Sequence, residues 1–360
     1  MRLDLTDDLV TLLQAITDVE SVSGNEQQLA DMVEEALTAQ DHLEVVRDGD
    51  AVIARTALGR AETVVIAGHL DTVPVANNLP SRLEETAEGL RIVGRGTCDM
   101  KGGVAVQLKL AAHLTDPNRD ITWVFYDHEE VDARLNGLGR VARNSPQLLE
   151  ADFAILMEPT NAEVEGGCQG TCRIRITVHG KAAHSARSWL GINAVHGLAD
   201  VLHRLNDYPA REVDLEGLTY REGLNAVRVE GGVANNVIPP SAIVDVNYRF
   251  APDKQPEDAL AELKRVFDGY DFEVTDMSPA ARPGLDRAIA RDFVTAVGTT
   301  PRPKYGWTDV SRFSTLGVPA VNYGPADPSM AHTDDEYCPA HQLDMCFNGL
   351  RRWLTTQETL

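Results

Sequence analysis

Thr63-Val64-Val65-Ile66-Ala67-Gly68-His69-Leu70-Asp71-Thr72-Val73-Pro74 is the stretch that decides the fold. Its first five residues are apolar or β-branched with no alternation, which is the pattern of a strand covered on both faces. Such strands build open α/β sheets, and these sheets gather ligands beyond the carboxyl ends of their strands. His69 stands at that end. Two further runs repeat the design. Residues 121–126 lead into Asp127-His128-Glu129-Glu130, and residues 153–157 lead into Glu158-Pro159-Thr160. Three buried strands are thus predicted, each ending on a side chain able to hold a ligand.

Between the first two runs lies Gly94-Arg95-Gly96-Thr97-Cys98-Asp99-Met100-Lys101-Gly102-Gly103. Its glycines let the backbone turn tightly and approach other segments closely. An apolar run at helical spacing follows over 104–114, so Asp99 is predicted on a turn just ahead of a helix. Around this core the chain reads as a short helix over 9–16 and strands at 51–55 and 90–93. Ser23 with Glu26 has the capping-box pattern ahead of a helix over 24–39. The C-terminal part adds a helix near 285–297, a strand at 320–322 and a closing helix over 340–355.

Near residue 170 the pattern changes. Residues 173–178 alternate, as a strand with one wet face does. A helix through Val195, Leu198 and Val201 follows, then strands at 226–230 and 243–248. A second helix opens at Pro256, and a last strand covers 272–274. The order β-α-β-β-α-β is the ferredoxin-like pattern. The expected architecture is therefore α/β. A main domain, 1–173 and 282–360, carries a mostly parallel twisted sheet covered by helices on both faces. A smaller ferredoxin-like α+β domain, 174–281, is inserted into it.

The composition narrows the function. The net charge of −22 argues against nucleic acid and anionic membrane surfaces as partners, since these require clustered Lys and Arg. No apolar run is long enough to cross a bilayer. The start of the chain, with three Asp among its first eight residues, carries no visible signal peptide. The five cysteines have no framework spacing and fit free thiols in a reducing cytoplasm.

His69, Asp99, Glu130, Glu158 and His332 form a mixed imidazole and carboxylate set without thiolate. That set suits Zn²⁺, with Co²⁺ or Mn²⁺ as substitutes. Two ions sharing Asp99 would each receive one His, one Glu and one oxygen of the bridge. Asp71, two residues after His69, is placed to accept the second imidazole N–H and fix the tautomer. Glu129 is placed to take a proton from a water acidified by the metal and pass it to a leaving nitrogen. The metal brings the pKa of that water from about 15.7 to about 7, so no nucleophilic Ser or Cys is required.

His69-x-Asp71, the 94–103 stretch, Glu129-Glu130, Glu158-Pro159 and Ala331-His332-Thr333 resemble the M20 family of di-zinc peptidases and deacylases. The resemblance covers essentially the whole chain. It implies that His69 and Glu158 hold one zinc, that Glu130 and His332 hold the other, and that Asp99 bridges them with Glu129 as base. It also implies a cis peptide after Asp99. The inserted domain becomes a dimerisation or lid domain, so a homodimer is expected. His184, in Gly180-Lys181-Ala182-Ala183-His184-Ser185, is expected to reach the partner's active site and steady the oxyanion. Carboxylate anchors are implied at Arg249 and at Asn235 and Asn236, with Thr308 and Arg312 as further substrate contacts. Cys98 departs from the family pattern, which has a small residue before the bridging Asp.

Residues 306–313, 322–325 and 136–139 look most like the desuccinylase branch of that family. This implies hydrolysis of N-succinyl-LL-2,6-diaminopimelate to succinate and LL-2,6-diaminopimelate, a step of lysine biosynthesis. Two other readings stay open on the sequence. One is a sister N-acyl-amino-acid deacylase or dipeptidase, and the other is a non-catalytic binding protein on the same scaffold.

Overall fold

The computed structural model describes residues 2–355. The chain divides into two compact units. The first comprises the chain through Gly166, Pro283–Arg302 and the part from Arg312 on, and the second comprises Gly167–Arg282 with Pro303–Ser311.

The first unit is built on a mixed sheet. The first seven of its eight successive strands are Glu44–Asp48, Ala51–Arg55, Asp120–Tyr126, Thr63–His69, Phe153–Leu156, Ala320–Asn322 and Glu165–Gly166. The four from Asp120–Tyr126 to Ala320–Asn322 run parallel. Antiparallel strands flank them. Val64, Val65, Ile66 and Ala67 are all fully buried, which explains why Thr63–His69 shows no alternation. Val64, Ile66, Trp123, Phe153 and Ile155 share a core with helices Leu9–Thr17, Gln27–Thr38, Gly102–His113, Ala288–Val297 and Ala340–Leu354. The alternate residues, among them Ile53, Val65 and Val124, are buried on the other face. Helix Gly137–Asn144 packs beside that part of the sheet.

One local expectation is revised, and the Asp99 turn ahead of its helix is found as expected. The second helix starts at Gln27, not 24, and its first residue is preceded by Glu26 without a side-chain cap. Ser23 and Glu26 are engaged elsewhere. The Ser23 hydroxyl donates to Asp71 Oδ2 at 2.6 Å, and the Glu26 carboxylate accepts from the Gly24 and His128 N–H groups at 2.8 and 3.1 Å. The Asp99 segment, Thr97–Lys101, is one wide turn with non-helical backbone at Asp99 and Met100. Its Asp99–Met100 peptide is cis. Helix Gly102–His113 begins immediately after.

This turn is seated by bare backbone. A Cβ on Gly103 would lie 2.1 Å from the Met157 carbonyl oxygen. A Cβ on Gly324 would lie 2.4 Å from the same oxygen and 2.6 Å from that of Glu158. Only glycine fits at either position.

The second unit holds a four-stranded antiparallel sheet in the order Gly223–Gly231, Ser241–Phe250, Gly170–His179, Phe272–Ser278. In chain order this is 2-3-1-4, the ferredoxin-like arrangement. Ile174, Ile176, Val244, Val246 and Tyr248 form its core with Ala194, Leu198 and Val201 of helix Ala194–Asn206 and Ala259 and Leu263 of helix Pro256–Val266. The hairpin Glu212–Leu215 and Leu218–Arg221 had no counterpart in the sequence reading. Residues 303–311, expected with the main domain, pack in this unit. The Trp307 indole and Ser311 hydroxyl both donate to the Pro279 carbonyl, at 3.1 and 2.8 Å. Among the described residues no helix is long and apolar enough to cross a membrane.

Candidate metal centre

Parallel register brings the strand ends level. Ala67 pairs with both Val124 and Leu156, so His69 and Glu158 each stand two residues beyond the same rung. His69 is buried at the strand end. Its Nδ1 lies 2.9 Å from the Asp71 main-chain carbonyl, and its Nε2 lies 3.2 Å from Asp99 Oδ1. The other oxygen of Asp99 faces His332 Nε2 at 3.4 Å, and that nitrogen lies 3.0 Å from Glu130 Oε1. Donor atoms of His69, Asp99 and Glu158 fall within 4.8 Å of one another, and so do those of Asp99, Glu130 and His332. The structure thus brings all five sequence-selected residues into two groups that share Asp99. His69, Glu129 and Glu130 make a third such group.

The electrostatics favour a cation. Burial alone would lower the His69 pKa, but hydrogen bonds with Asp71 and Asp99 raise it well above 6.5. Hydrogen bonds to Asp99 and Glu130 push His332 up to about 10. Burial works to raise Asp99, yet the two histidines hold it far below the usual carboxylate range. The carboxylates outnumber the imidazoles and draw protons onto them. A borderline cation with nitrogen and oxygen preference fits this donor set and would displace those protons.

Asp71 differs in detail from the expectation. The His69 Nδ1 partner at 2.9 Å is the Asp71 main-chain oxygen, while the carboxylate is 3.5 Å away. That carboxylate, fully buried, instead accepts from the N–H groups of Glu129 at 2.9 Å and Glu130 at 3.0 Å, and from Ser23. Glu26 holds the preceding N–H, that of His128. Asp127, at the start of this loop, is gripped by both terminal nitrogens of Arg140 at 3.0 and 2.6 Å. His128 and His332 have φ of +58° and +65°, in the region that non-glycine residues seldom occupy. The two loops are therefore over-determined by contacts rather than by local preference.

Of the remaining sequence candidates, Arg312 belongs to the first unit. It donates to the Ala133 carbonyl at 3.4 Å and lies against Gly139. His184, Asn235, Asn236, Arg249 and Thr308 belong to the second unit. There His184 is exposed and pairs in a short bridge with Val237. The Ser185 N–H donates to the Asn236 carbonyl at 2.8 Å, so the His184 and Asn235–Asn236 loops lie together. Arg249 is half-buried with its Nε 3.2 Å from Asn247 Oδ1, and Thr308 is buried. Cys98 is buried, with Sγ 3.2 Å from the Asp327 carbonyl, and burial beside Asp99 pushes its thiol pKa up.

Sequence reasoning missed Ser23, Glu26 and Glu336. The first two have a local capping pattern that masks their long-range use. Glu336 sits in the acidic run Asp334-Asp335-Glu336, which has the look of solvated charge, yet its side chain is 1% exposed.

Paired nitrogen and oxygen groups gathered at the carboxyl ends of a parallel sheet suit a metal-dependent hydrolase. Residues 65–356 match the profile of peptidase family M20/M25/M40. A protein of Corynebacterium glutamicum named succinyl-diaminopimelate desuccinylase is 46% identical over 364 residues, covering 98% of each chain. A Mycobacterium tuberculosis protein, provisionally named for the same activity, is 54% identical over 355 residues, covering 98% of this chain and 99% of its own. A solved tripeptidase from Staphylococcus aureus shares the fold at TM-score 0.79 and 20% identity, over 98% of each chain. The chain belongs to the M20 family and is a metal-dependent amidohydrolase.

Proposed function

We propose that this enzyme hydrolyses N-succinyl-LL-2,6-diaminopimelate to succinate and LL-2,6-diaminopimelate in lysine biosynthesis, using two zinc ions that cobalt or manganese can replace. The observation that carries the two-metal reading is the division of Asp99 between two donor groups. The substrate reading rests on near full-length identity to relatives named as desuccinylases.

In this reading His69 and Glu158 would hold one ion and Glu130 and His332 the other, with Asp99 shared between them. The pair supplies Lewis acidity and a water acidic enough to attack at neutral pH. Glu129 would take a proton from the attacking water and deliver it to the leaving amide nitrogen. Asp71 keeps Glu129 in place through the main chain. Arg249, Arg312, Thr308, Asn235 and Asn236 anchor the substrate, the arginines by forked hydrogen bonds to its carboxylates.

The second unit acts as the dimerisation or lid domain, and the first as the catalytic domain. Trp189, Ile192, Val227, Val229 and Val233 are exposed on the second unit, where Trp189 keeps 76% of its surface. Strand Gly223–Gly231 is the edge of its sheet. Both features support a homodimer through this unit. His184 of one subunit then steadies the developing oxyanion in the other. The five cysteines are buried free thiols, which supports a cytoplasmic setting.

Steady-state kinetics on succinylated and acetylated substrates test the proposal. The succinyl compound should give the higher kcat/KM. Preference for the acetyl compound, or for a dipeptide, would move the enzyme to a sister activity of the family.

A further inference from the structure

We infer that Glu336, paired with Arg95, is a positioning residue that locks the Asp99 turn to the His332 loop and so sets the spacing of the donor group these two share with Glu130. The inference rests on the two-metal reading above. Glu336 and Arg95 are 1% and 4% exposed at their side chains and lie 2.9 Å apart. Every acceptor of Glu336 is spent on the stretch that leads to Asp99. Its Oε1 takes the N–H groups of Cys98 and Asp99, both at 3.0 Å, and its main-chain oxygen takes that of Gly94 at 3.0 Å. Its Oε2 takes Arg95 Nη1.

Arg95 extends the lock in two directions. It donates to the Thr333 carbonyl at 3.0 Å, next to His332, and to the Pro74 carbonyl at 3.1 Å, on the loop that follows His69. The Arg95 N–H reaches the Asn78 carbonyl at 3.1 Å, and the Asn78 amide reaches the Asp334 carbonyl at 3.3 Å. One buried ion pair therefore ties together the segments after His69, around Asp99 and after His332.

A strut needed only for folding could grip any part of this turn. This one grips the N–H of Asp99 itself and that of its neighbour, which fixes the direction in which the Asp99 carboxylate leaves the backbone. A carboxylate serving two ions needs that direction fixed, because each oxygen must meet a different partner. Outer groups that orient ligands typically change metal affinity by about 10–100-fold when removed. Removing one partner also leaves the other charge buried and unpaired.

The test uses the full chain, stripped of metal and titrated with Zn²⁺ alone against a competing chelator. Melting curves are recorded with and without the ion. Wild-type protein should bind two Zn²⁺. Glu336→Gln should bind at least one of them about 10–100-fold more weakly, with a smaller zinc-induced rise in Tm. If both affinities match wild type while Tm falls equally with and without zinc, Glu336 is only a fold strut and the inference is overturned. Should Glu336→Gln fail to fold, Arg95→Lys gives the reading. It keeps the charge but loses the fork to Pro74 and Thr333, and wild-type zinc affinity there overturns the inference too. Wild-type protein that takes up no zinc would instead remove the two-metal reading, and this inference with it.

Discussion

Asp71 and Glu129 are joined through the main chain: the Asp71 carboxylate accepts the Glu129 N–H at 2.9 Å, although the residues are 58 apart in sequence. The same carboxylate takes the Glu130 N–H and the Ser23 hydroxyl. Ser23→Ala therefore removes a hydrogen bond to a buried charge, worth about 1.5–3 kcal/mol in general. We expect kcat to fall by roughly tenfold or more, with zinc content unchanged. Elemental analysis beside steady-state kinetics checks this, and an unchanged kcat would separate Ser23 from the placement of the Glu129 loop.

Glu129→Gln is nearly the same shape and leaves the proposed ligands in place. Zinc stoichiometry should stay at the wild-type value, while turnover drops by about 10²–10⁴, the usual worth of a general base. Near-normal turnover would take Glu129 out of the chemistry.

His332 provides the pH prediction. Hydrogen bonds to Asp99 and Glu130 push its pKa up to about 10 from an ordinary 6.5, so its charge stabilises the fold fully below pH 6.5. That contribution is lost as pH rises toward 10. Zinc competes with the same proton, so zinc affinity should rise over this window and binding near neutral pH should release protons. Metal-free wild type and His332→Gln should differ most in Tm at pH 6 and converge by pH 10. A gap that widens with pH contradicts the assignment, as does zinc binding without proton release in calorimetry across two buffers.

His184→Ala should lower turnover without changing metal content. Mixing it with Glu129→Gln subunits should restore activity that neither variant has alone, because each would supply what the other lacks. Mixed dimers as inactive as their parents would rule out the in-trans role.

The strand ends were legible in the sequence because burial on both faces leaves an unbroken apolar run, as in residues 63–67, whatever the surroundings. The ferredoxin-like order was legible for the opposite reason, since a sheet with one wet face alternates visibly over 173–178. Positions 23, 26 and 336 were not. Their partners lie 48, 102 and 237 residues away. A carboxylate bound to distant N–H groups leaves no periodic trace. The local signals at those positions, a capping box and an acidic run, belong to commoner roles. Chain order likewise places residues 303–311 with the main domain, whereas their packing is decided by Trp307 and Ser311 meeting Pro279.

Gly103 and Gly324 both press bare backbone against the Met157–Glu158 main chain. The gauge between Asp99 and Glu158 is therefore the thickness of naked polypeptide, which cannot be compressed and needs no side chain to maintain it. Donor chemistry at this centre can drift by substitution while its width stays constant. A single methyl group added at Gly103 would wedge the turn away from that strand end by pressing on the Met157 main chain, without altering any side chain that binds or reacts.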